Sequence, residues 1–432
     1  MADLKKKIES NAAVVGVLGL GYVGLPLALE FARKGLRVRG FDVDAARVRA
    51  LRSGRSYIGD VASSLLKEQT AAGRFRAENG FDAVSGCDAL IICVPTPLRK
   101  TKEPDVSYIL SAASEVARRL AKGRLLVLES TTYPGTTREL VLPLFEKRGM
   151  KAGKDFFLAF SPERVDPSNS RYRIANTPKV VGGITPACGR LAAALYSKVV
   201  GRVVGVSNAE TAEMVKLLEN TFRAVNIGLV NEMALMCHKL GLDVWEVIEA
   251  ASTKPFGFMP FYPGPGLGGH CIPVDPHYLA WKMKTLNFEP RFIELAGVIN
   301  GSMPEHAVAR MADLLNRRRM PVRGSRVLVL GAAYKPDVND VRESPSLDVI
   351  KLLLDLGAEV SYHDPHVPAL KIGGRTMRSM PLTPSSLRKA DLVAVLTAHS
   401  GVDYGLVVRR ARLVFDARNA AKGLRAKGLF RL

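Results

Sequence analysis

A short glycine-rich stretch near the N-terminus, "GLGYVG" at residues 19–24, restricts the fold of this chain more than any other feature. An apolar run precedes it, an amphipathic helical pattern follows from Leu25 to Lys34, and Gly35 ends that helix. A second apolar segment then closes with Asp42, 18 residues after the last of the three glycines. Glycines at this spacing between a strand and a helix, followed by such an acid, predict a βαβ unit that binds a dinucleotide.

The residue types of this unit also predict which dinucleotide binds. The first glycines allow a tight turn and the close approach of a pyrophosphate, whose charge is favoured at a helix N-terminus. Asp42 would accept hydrogen bonds from the ribose and repel a 2′-phosphate, so we expect NAD as the cofactor. Arg47 would supply charge to the pyrophosphate, or it lies on a solvated helix face; both interpretations stay open. The predicted cofactor-binding residues are Gly19, Gly21, Tyr22, Val23, Gly24, Asp42 and Arg47.

Alternating strand and helix patterns continue beyond this unit. The segments "ALIICVPTP" at 89–97 and "RLLVLESTTYPGTT" at 124–137 read as buried parallel strands that end in Thr and Pro. Ligands of doubly wound folds bind at the carboxyl edge of the sheet, so Thr96 and Thr132 are candidate site residues. The alternative for each is a hydroxyl that only caps the next helix.

The same pattern returns near the C-terminus. The segment "SRVLVLGAAYK" at 325–335 predicts a strand and a glycine turn. A helix followed by a strand is predicted at 344–365, and further strands are predicted at 390–399 and 411–418. This second unit has no full GxGxxG motif. Between the two halves, apolar residues recur at helical spacing over more than thirty residues, at 209–242. This pattern predicts a long helix that joins both domains and takes part in a subunit interface. The fold class is therefore α/β: two Rossmann-like doubly wound domains joined by a long central helix and a helical middle domain. We expect domains at 1–205, 206–315 and 316–432.

Composition limits the compartment and the partners. The chain has 432 residues, a net charge of +21 and five scattered cysteines without a CxxC pair, which argues against a disulfide framework or a zinc ribbon. No nucleic-acid-binding signature accompanies the basic residues, so we expect a generally basic surface and no nucleic-acid partner. The uncharged stretch from Ala12 to Leu29 imitates a signal peptide, but its glycines belong to the dinucleotide turn. We expect a cytoplasmic protein without membrane association.

A second glycine-rich segment, "FYPGPGLGGHCIPVDPHYL" at 261–279, presents a single thiol, Cys271, with the carboxylate of Asp275 four residues later. Together with "GLGYVGLPLA", "STTYPGTT", "SPERVDPS", "AEMVKLLENTF", "YKPDVNDVRESPS" and "VFDARN", in this order, it resembles the nucleotide-sugar 6-dehydrogenases, the UDP-glucose and GDP-mannose dehydrogenase family. The resemblance covers nearly the whole chain. It implies an N-terminal NAD domain, a central helical domain, a C-terminal UDP domain, homodimers or multiples of dimers, and a place in polysaccharide biosynthesis.

The oxidation that this resemblance implies, from a primary alcohol to a carboxylate, gives the thiol of Cys271 a chemical role. Oxidation of a primary alcohol to a carboxylate requires two hydride transfers, and the intermediate aldehyde cannot donate the second until a nucleophile adds to it. Cys271 fits this nucleophile, forming a thiohemiacetal and then a thioester. The resemblance implies that Lys216 and Asn220 stabilise oxyanions, that Asp275 and Thr132 hold water or assist proton transfer, and that Glu163 activates water for thioester hydrolysis. The predicted substrate-binding residues are Glu163, Arg164, Lys216, Asn220, Gly268, Lys335 and Arg418, and Arg342 is predicted to meet the cofactor.

Three alternatives stay open at this stage. His270 and His277 invite a metal interpretation with Cys271, but the loop offers poor geometry for zinc and we expect no metal. The segment at 251–266 resembles that of UDP-N-acetylglucosamine 6-dehydrogenases, and Val274 stands where the UDP-glucose branch has Lys. We therefore expect UDP-N-acetylglucosamine, then UDP-N-acetylmannosamine or UDP-N-acetylgalactosamine, and UDP-glucose last. A non-catalytic nucleotide-sugar sensor is the rival from another class, although Cys271, Lys216 and Asp275 are all present.

Overall fold

The computed structural model describes residues 1–99, 103–164, 171–269 and 271–432. These residues form two compact units, which we call the N-terminal unit (Met1–Glu219 with His277–Phe288) and the C-terminal unit (Asn220–Pro276 with Glu289–Leu432). The predicted division into domains at 1–205, 206–315 and 316–432 stays a prediction.

The N-terminal unit contains a doubly wound sheet. Its strands are β1 (Val14–Leu18), β2 (Arg37–Asp42), β3 (Phe75–Asn79), β4 (Ala89–Ile92), β5 (Leu125–Leu128), β6 (Phe157–Phe160), β7 (Lys179–Gly183) and β8 (Val203–Val206). They lie in the order β3-β2-β1-β4-β5-β6-β7-β8, and every neighbouring pair is parallel except β6 and β7. Alternate residues of β4 enter different cores, Ala89 and Ile91 one and Leu90 and Ile92 the other. Both faces of the sheet are therefore covered, which explains the continuous apolar strand sequences.

The helices of this unit cover the two faces. They are α1 (Ala2–Glu9), α2 (Gly24–Arg33), α3 (Ala45–Arg52), α4 (Ser63–Ala71), α5 (Ser107–Arg119), α6 (Leu142–Glu146) and α7 (Pro186–Tyr196), with a π-helical turn at Thr137–Val141 and 3₁₀ turns at Asp82–Gly86 and Ile174–Asn176. The helix predicted from Leu25 to Lys34 is α2, and Gly35 follows it with a φ of 92°.

The long helical pattern at 209–242 forms one helix, α8 (Ala209–Leu240), of 32 residues. The division between the two units falls within it, since Glu219 belongs to one unit and Asn220 to the other. It is followed by α9 (Val244–Ala251), α10 (Asp275–Lys284) and α11 (Arg291–Asn316). The prediction of a helical region between two strand-rich regions is confirmed.

The C-terminal unit contains the second parallel sheet. The strands are β9 (Arg326–Leu330), β10 (Glu359–His363), β11 (Ala369–Ile372), β12 (Arg375–Arg378), β13 (Leu392–Val395), β14 (Val414–Asp416) and β15 (Leu429–Arg431), with helices α12 (Pro345–Asp355), α13 (Pro384–Lys389) and α14 (Tyr404–Arg410). The sheet order is β10-β9-β13-β14-β15, all parallel, and β11 pairs with β12 as a separate antiparallel hairpin. This arrangement agrees with the predicted Rossmann-like C-terminal region.

Within the described ranges, no helix has the length and apolar character needed to cross a membrane. The uncharged stretch from Ala12 to Leu29 contains β1, the glycine turn and part of α2 instead.

Candidate active site

The first glycine-rich loop connects β1 to α2, and its glycines are required by close backbone packing. Gly19 has a φ of 92°, and a Cβ there would overlap the carbonyl oxygen of Cys93. A Cβ on Gly24 would overlap the carbonyl oxygen of Gly19. At Gly21, by contrast, a Cβ would meet no atom within 4 Å, so this glycine borders open space. The loop thus leaves room for a ligand at the N-terminus of α2, as dinucleotide binding requires.

Asp42 ends β2 beside this loop and is buried. Its carboxylate accepts hydrogen bonds from the backbone N–H groups of Leu20 (3.0 Å) and Asp44 (2.9 Å), which fixes the side chain at the loop. The Arg47 guanidinium lies 3.7 Å from the same carboxylate and 5.6 Å from the centre of the Tyr57 ring. Arg47 therefore lies at the nucleotide end of the sheet, where its predicted contact with the pyrophosphate stays a prediction.

A cavity of about 400 Å³ opens next to Asp42. It is lined by Gly21, Tyr22, Ala46, Arg47, Ala50, Tyr57 and Ile58. An apolar cleft with an aromatic ring, an arginine and an adjacent buried carboxylate suits an adenosine and its phosphates, so these residues fit NAD. Tyr57, whose hydroxyl donates to the Leu20 carbonyl (2.6 Å), was not predicted from the sequence because it belongs to no recognised motif.

The two predicted threonines do not cap the following helices. Helix α5 begins at Ser107, well beyond Thr96, and the turn after Thr132 begins at Thr137. The Thr96 carbonyl accepts a hydrogen bond from the Tyr278 hydroxyl of α10. Thr132 is buried, and its hydroxyl lies 2.6 Å from that of Thr136. The capping alternative is therefore wrong for both residues, and their roles at a bound cofactor or substrate stay predictions.

Glu163 and Lys216 come together in the N-terminal unit. Both are buried, and the Lys216 ammonium donates to the backbone carbonyl of Glu163 (2.8 Å). One oxygen of the Glu163 carboxylate accepts from the Arg164 N–H (2.8 Å), and the other accepts from the Lys179 ammonium (3.1 Å). The Arg164 side chain pairs with Glu219. Lys216 is thus not a solvated helix lysine, and Glu163 is not a surface carboxylate.

The C-terminal unit brings together the remaining catalytic candidates. The carbonyl of Cys271 accepts hydrogen bonds from the N–H groups of Val274 (3.0 Å) and Asp275 (2.8 Å), so a turn leads from the thiol into α10. Asp275 is buried at the start of this helix, and the Asn220 amide donates to its carboxylate. Cys271 itself is half-buried and forms no disulfide. His270, the first residue of the metal interpretation, lies outside the described residues.

The glycines of the Cys271 loop pack against other parts of the C-terminal unit. A Cβ on Gly264 would overlap the Arg418 guanidinium, and one on Gly266, whose φ is 139°, would come within 2.8 Å of Pro345. At Gly268 a Cβ would lie 2.9 Å from side-chain atoms of both Pro345 and Tyr334. These glycines are thus needed for packing of the loop itself, a reason that the sequence did not reveal.

Three basic residues were predicted to contact phosphate or cofactor in this unit. The Lys335 ammonium lies 5.9 Å from the Tyr334 ring centre, and the exposed Arg342 pairs with Asp340 (2.6 Å). Arg418 donates from Nε to the Leu396 carbonyl (3.0 Å), and burial lowers its pKa to about 10. No carboxylate among the described residues forms an ion pair with Arg418. A desolvated guanidinium without a counter-ion suits an anionic ligand.

A histidine cluster lies elsewhere in the C-terminal unit. Ligand atoms of Asp337, His366 and His399 lie within 4.8 Å of one another. However, Nδ1 of His399 accepts from the Asp337 N–H (3.0 Å), and Nε2 lies 2.9 Å from the Asp364 carboxylate. Both ring nitrogens are thus engaged in holding the loops after β9 and β10, and a metal would have to displace the amide hydrogen bond.

Comparisons with known proteins agree with this geometry. Three family models match in succession: the NAD binding domain of the UDP-glucose/GDP-mannose dehydrogenase family at residues 13–200, its central domain at 210–302 and its UDP binding domain at 328–423. A UDP-N-acetyl-D-glucosamine 6-dehydrogenase of Pseudomonas aeruginosa is 37% identical over 82% of this chain and 83% of its own. A UDP-N-acetyl-D-mannosamine dehydrogenase of Pyrococcus horikoshii is 35% identical over 94% and 96%, respectively. A solved structure of the UDP-D-ManNAc dehydrogenase from Pyrococcus horikoshii superimposes with a TM-score of 0.88 at 33% identity, covering 97% of this chain and 98% of the other.

Proposed function

The chain belongs to the UDP-glucose/GDP-mannose dehydrogenase family, and we propose that it oxidises the C6 hydroxyl of a UDP-N-acetylhexosamine to a carboxylate. The predicted family, fold class and cofactor are confirmed: the chain is an NAD-dependent nucleotide-sugar dehydrogenase with Rossmann-like terminal regions. The proposed reaction is a four-electron oxidation through a thiohemiacetal and then a thioester on Cys271.

The turn that presents Cys271 is the observation that carries the proposal. The backbone carbonyl of the half-buried Cys271 accepts from the N–H of Asp275, so Cys271 lies one turn before this buried carboxylate, which the Asn220 amide contacts. A thiol on the same turn as an oriented carboxylate supports a role in covalent catalysis. A nucleotide-sugar sensor would have no need for this arrangement.

The residues of the C-terminal unit then act in a defined order. The Cys271 sulfur bonds to the aldehyde carbon formed by the first oxidation, giving a thiohemiacetal, and the second oxidation turns this adduct into a thioester. NAD, when bound, takes up the hydrogen removed from C6 in each oxidation. Asp275, oriented by Asn220, holds a proton-transferring water near the reacting oxygen.

The family resemblance assigns roles in the reaction to two charged residues of the N-terminal unit, Lys216 and Glu163. The Lys216 ammonium stabilises the negative oxygen that develops at C6, because a fixed cation in a buried site interacts strongly with such charge. Glu163 takes a proton from the water that attacks the thioester. Thr132 is a second candidate for holding water, while Gly19, Gly21, Asp42 and Arg47 would hold the cofactor.

The UDP group is proposed to bind the basic residues of the C-terminal unit. Arg418, desolvated and without a carboxylate partner among the described residues, would receive its counter-ion from the diphosphate. Lys335 would add a point charge, and Gly268 would line the sugar side of the loop. Relatives named for UDP-N-acetylglucosamine and for UDP-N-acetylmannosamine have similar identity. We propose UDP-N-acetylglucosamine because of the segment at 251–266, with the N-acetylmannosamine and N-acetylgalactosamine forms next and UDP-glucose last.

A substrate panel tests this function. The enzyme is supplied with NAD and each of the four UDP-sugars, while NADH absorbance and the sugar product are followed. We expect the highest kcat/KM with UDP-N-acetylglucosamine, the lowest with UDP-glucose, and two NADH for each sugar consumed. One NADH per sugar with accumulation of free aldehyde would contradict the four-electron reaction, and UDP-glucose as the best substrate would contradict the assigned sugar.

We further propose a homodimeric enzyme of the cytoplasm that acts in polysaccharide biosynthesis. The support for a second copy is a set of exposed apolar side chains on α8 and α11 of the C-terminal unit: Phe222, Leu229, Met236, Leu240, Phe292, Leu295 and Val298. Large exposed apolar patches usually mark interaction sites.

A further inference from the structure

A buried group of charged side chains lies behind Glu163 in the N-terminal unit. It consists of Lys179, Glu129 and Tyr196, which are 6%, 1% and 0% exposed. Lys179 and Tyr196 lie outside the motifs that predicted the site, and Glu129 lies within the segment at 124–137 but was not predicted as a site residue. Their positions follow from the sheet: β7 runs antiparallel to β6, with Gly182 opposite Phe160, so Lys179 at the start of β7 lies alongside Glu163 beyond the end of β6. Glu129 directly follows β5 at the same edge.

The hydrogen bonds connect these residues into one chain. The Lys179 ammonium donates to the Glu163 carboxylate (3.1 Å) and also to one oxygen of Glu129. The Tyr196 hydroxyl donates to the other oxygen of Glu129 (2.5 Å). The ammonium also lies 5.3 Å from the centre of the Tyr196 ring. Lys179 is thus held between two carboxylates, of which only Glu163 has a proposed chemical role.

The charges of this group are unusual for a protein interior. Burial raises the pKa of Glu129, and Lys179 opposes this shift; because the Lys179 ammonium and the Tyr196 hydroxyl donate to its two oxygens, Glu129 is held as a carboxylate. Burial alone would lower the pKa of Lys179, but the two carboxylates raise it above its ordinary value, so the amine stays protonated. Among the described residues, other charged or titratable groups near Glu163 are Lys216, which contacts its backbone carbonyl, Arg164, whose N–H contacts its carboxylate, and the buried Cys93. Well-packed apolar residues often replace such buried ion pairs without loss of stability, so stability alone does not explain this one.

We propose that Lys179 is a positioning residue for Glu163, orienting its carboxylate and keeping it ionised, while Glu129 and Tyr196 hold the ammonium in place. The inference rests on the proposed function, because it assumes that Glu163 is the base in thioester hydrolysis. In that step the water oxygen bonds to the acyl carbon, the water proton moves to Glu163, and the C–S bond breaks with its electron pair on the Cys271 sulfur. Lys179 favours this step by fixing the direction of the Glu163 oxygen that it contacts.

Opposite pH shifts in two variants test the inference. The full-length enzymes are mixed with UDP-N-acetylglucosamine and NAD, and intact mass spectrometry follows formation and hydrolysis of the Cys271-bound acyl group over a range of pH. Lys179→Met removes the cation, so the acid limb of the hydrolysis profile should move up by about one pH unit. Loss of the orientation that the cation provides should also lower the plateau rate above that limb by about tenfold. Glu129→Gln removes a neighbouring anion and should move the same limb down. Lys179→Arg should restore most of the rate.

Three outcomes separate this inference from the proposed function. The control is Lys7→Met. It removes an ion pair of 3.2 Å with Asp88, the residue that precedes β4, and this variant should hydrolyse the adduct normally. Glu163→Gln should accumulate the adduct; if it does not, or if the wild type forms none, the proposed function is at fault. If the Glu163→Gln enzyme accumulates the adduct while the Lys179→Met enzyme hydrolyses it with the normal rate and pH profile, Lys179 has no positioning role. If Lys179→Met does not fold, an unshifted profile in Glu129→Gln overturns the inference.

Discussion

Asp42 is a buried carboxylate with an observed role in the fold and a proposed role in the choice of cofactor. Its two oxygens accept hydrogen bonds from the backbone N–H groups of Leu20 and Asp44. These bonds connect the end of β2 to the glycine turn. The fixed negative charge lies 3.7 Å from the guanidinium of Arg47, which lines the cavity that fits adenosine. A 2′-phosphate would be repelled by this charge, and the nearby cation of Arg47 already lies at that distance from the Asp42 carboxylate.

The prediction at this residue is a loss of cofactor discrimination. Asp42→Asn keeps an acceptor oxygen for the loop but removes the charge, so the preference for NAD over NADP should fall by about tenfold or more, corresponding to about 1.4 kcal/mol. The measurement is kcat/KM with each cofactor for both enzymes. Equal efficiency of the wild-type enzyme with NAD and NADP would contradict the assignment of Asp42.

Helices α8 and α11 support the loop that carries Cys271. Gly228 of α8 packs against Ala296 of α11, where a Cβ would come within 3.2 Å of Ala296 atoms. Three residues further along α8, the buried Asn231 donates to Asn300 (2.8 Å) and accepts from the N–H of Gly264 (3.0 Å). A single amide thus connects two helices to the start of the glycine-rich loop, and its loss would leave buried polar groups unpaired.

Asn231→Ala should therefore destabilise the C-terminal unit by about 1–3 kcal/mol and lower kcat, because the loop loses its attachment. The control is Asn226→Ala on the same helix. Among the described residues, the Asn226 side chain bonds only to the Phe222 carbonyl, so this substitution should change both quantities little. Chemical denaturation and steady-state rates measure the two effects. Equal effects of the two substitutions would show that Asn231 has no special role.

The sequence predicted the length of α8 well but did not predict the side-chain contacts that this helix makes. Helical periodicity placed α8 within two residues of its observed end at Leu240, because spacing along one helix is a local property. The bond between Asn231 and Asn300 joins positions 69 apart, and no local pattern indicates it. Similarly, Lys179 reaches Glu163 only because β7 reverses direction, which the strand pattern does not reveal. Cys271, Lys216 and Glu163 were predicted as site residues from ordered motifs, and their roles stay predictions.

At the scale of the whole molecule, the homodimer is a proposal that exposed apolar side chains support. Leu229 and Leu240 of α8 are 53% and 71% exposed, and Val298 of α11 is 71% exposed. Apolar side chains on two helices of the same unit could pack against the same side chains of a second copy of the chain. Homodimer interfaces are richer in apolar area than other protein surfaces.

Leu229→Glu should convert a dimer into a monomer, because it places a charge in the proposed interface. Leu356→Glu, an equally exposed leucine after α12, is the matched control and should leave the mass unchanged. Light scattering at micromolar concentration gives the masses, and circular dichroism shows whether each variant is folded. A monomeric wild-type protein would contradict the proposed homodimer.

The central claim is that Cys271 carries the sugar between the two oxidations, and product analysis of Cys271→Ala tests it most directly. The substitution leaves the cofactor loop, Arg418 and the pair of Asn220 and Asp275 in place, so binding of NAD and UDP-N-acetylglucosamine, measured by calorimetry, should stay close to that of the wild type. Without the sulfur no thiohemiacetal can form, so the variant should produce no uronic acid. Formation of the acid at the wild-type rate would contradict the claim.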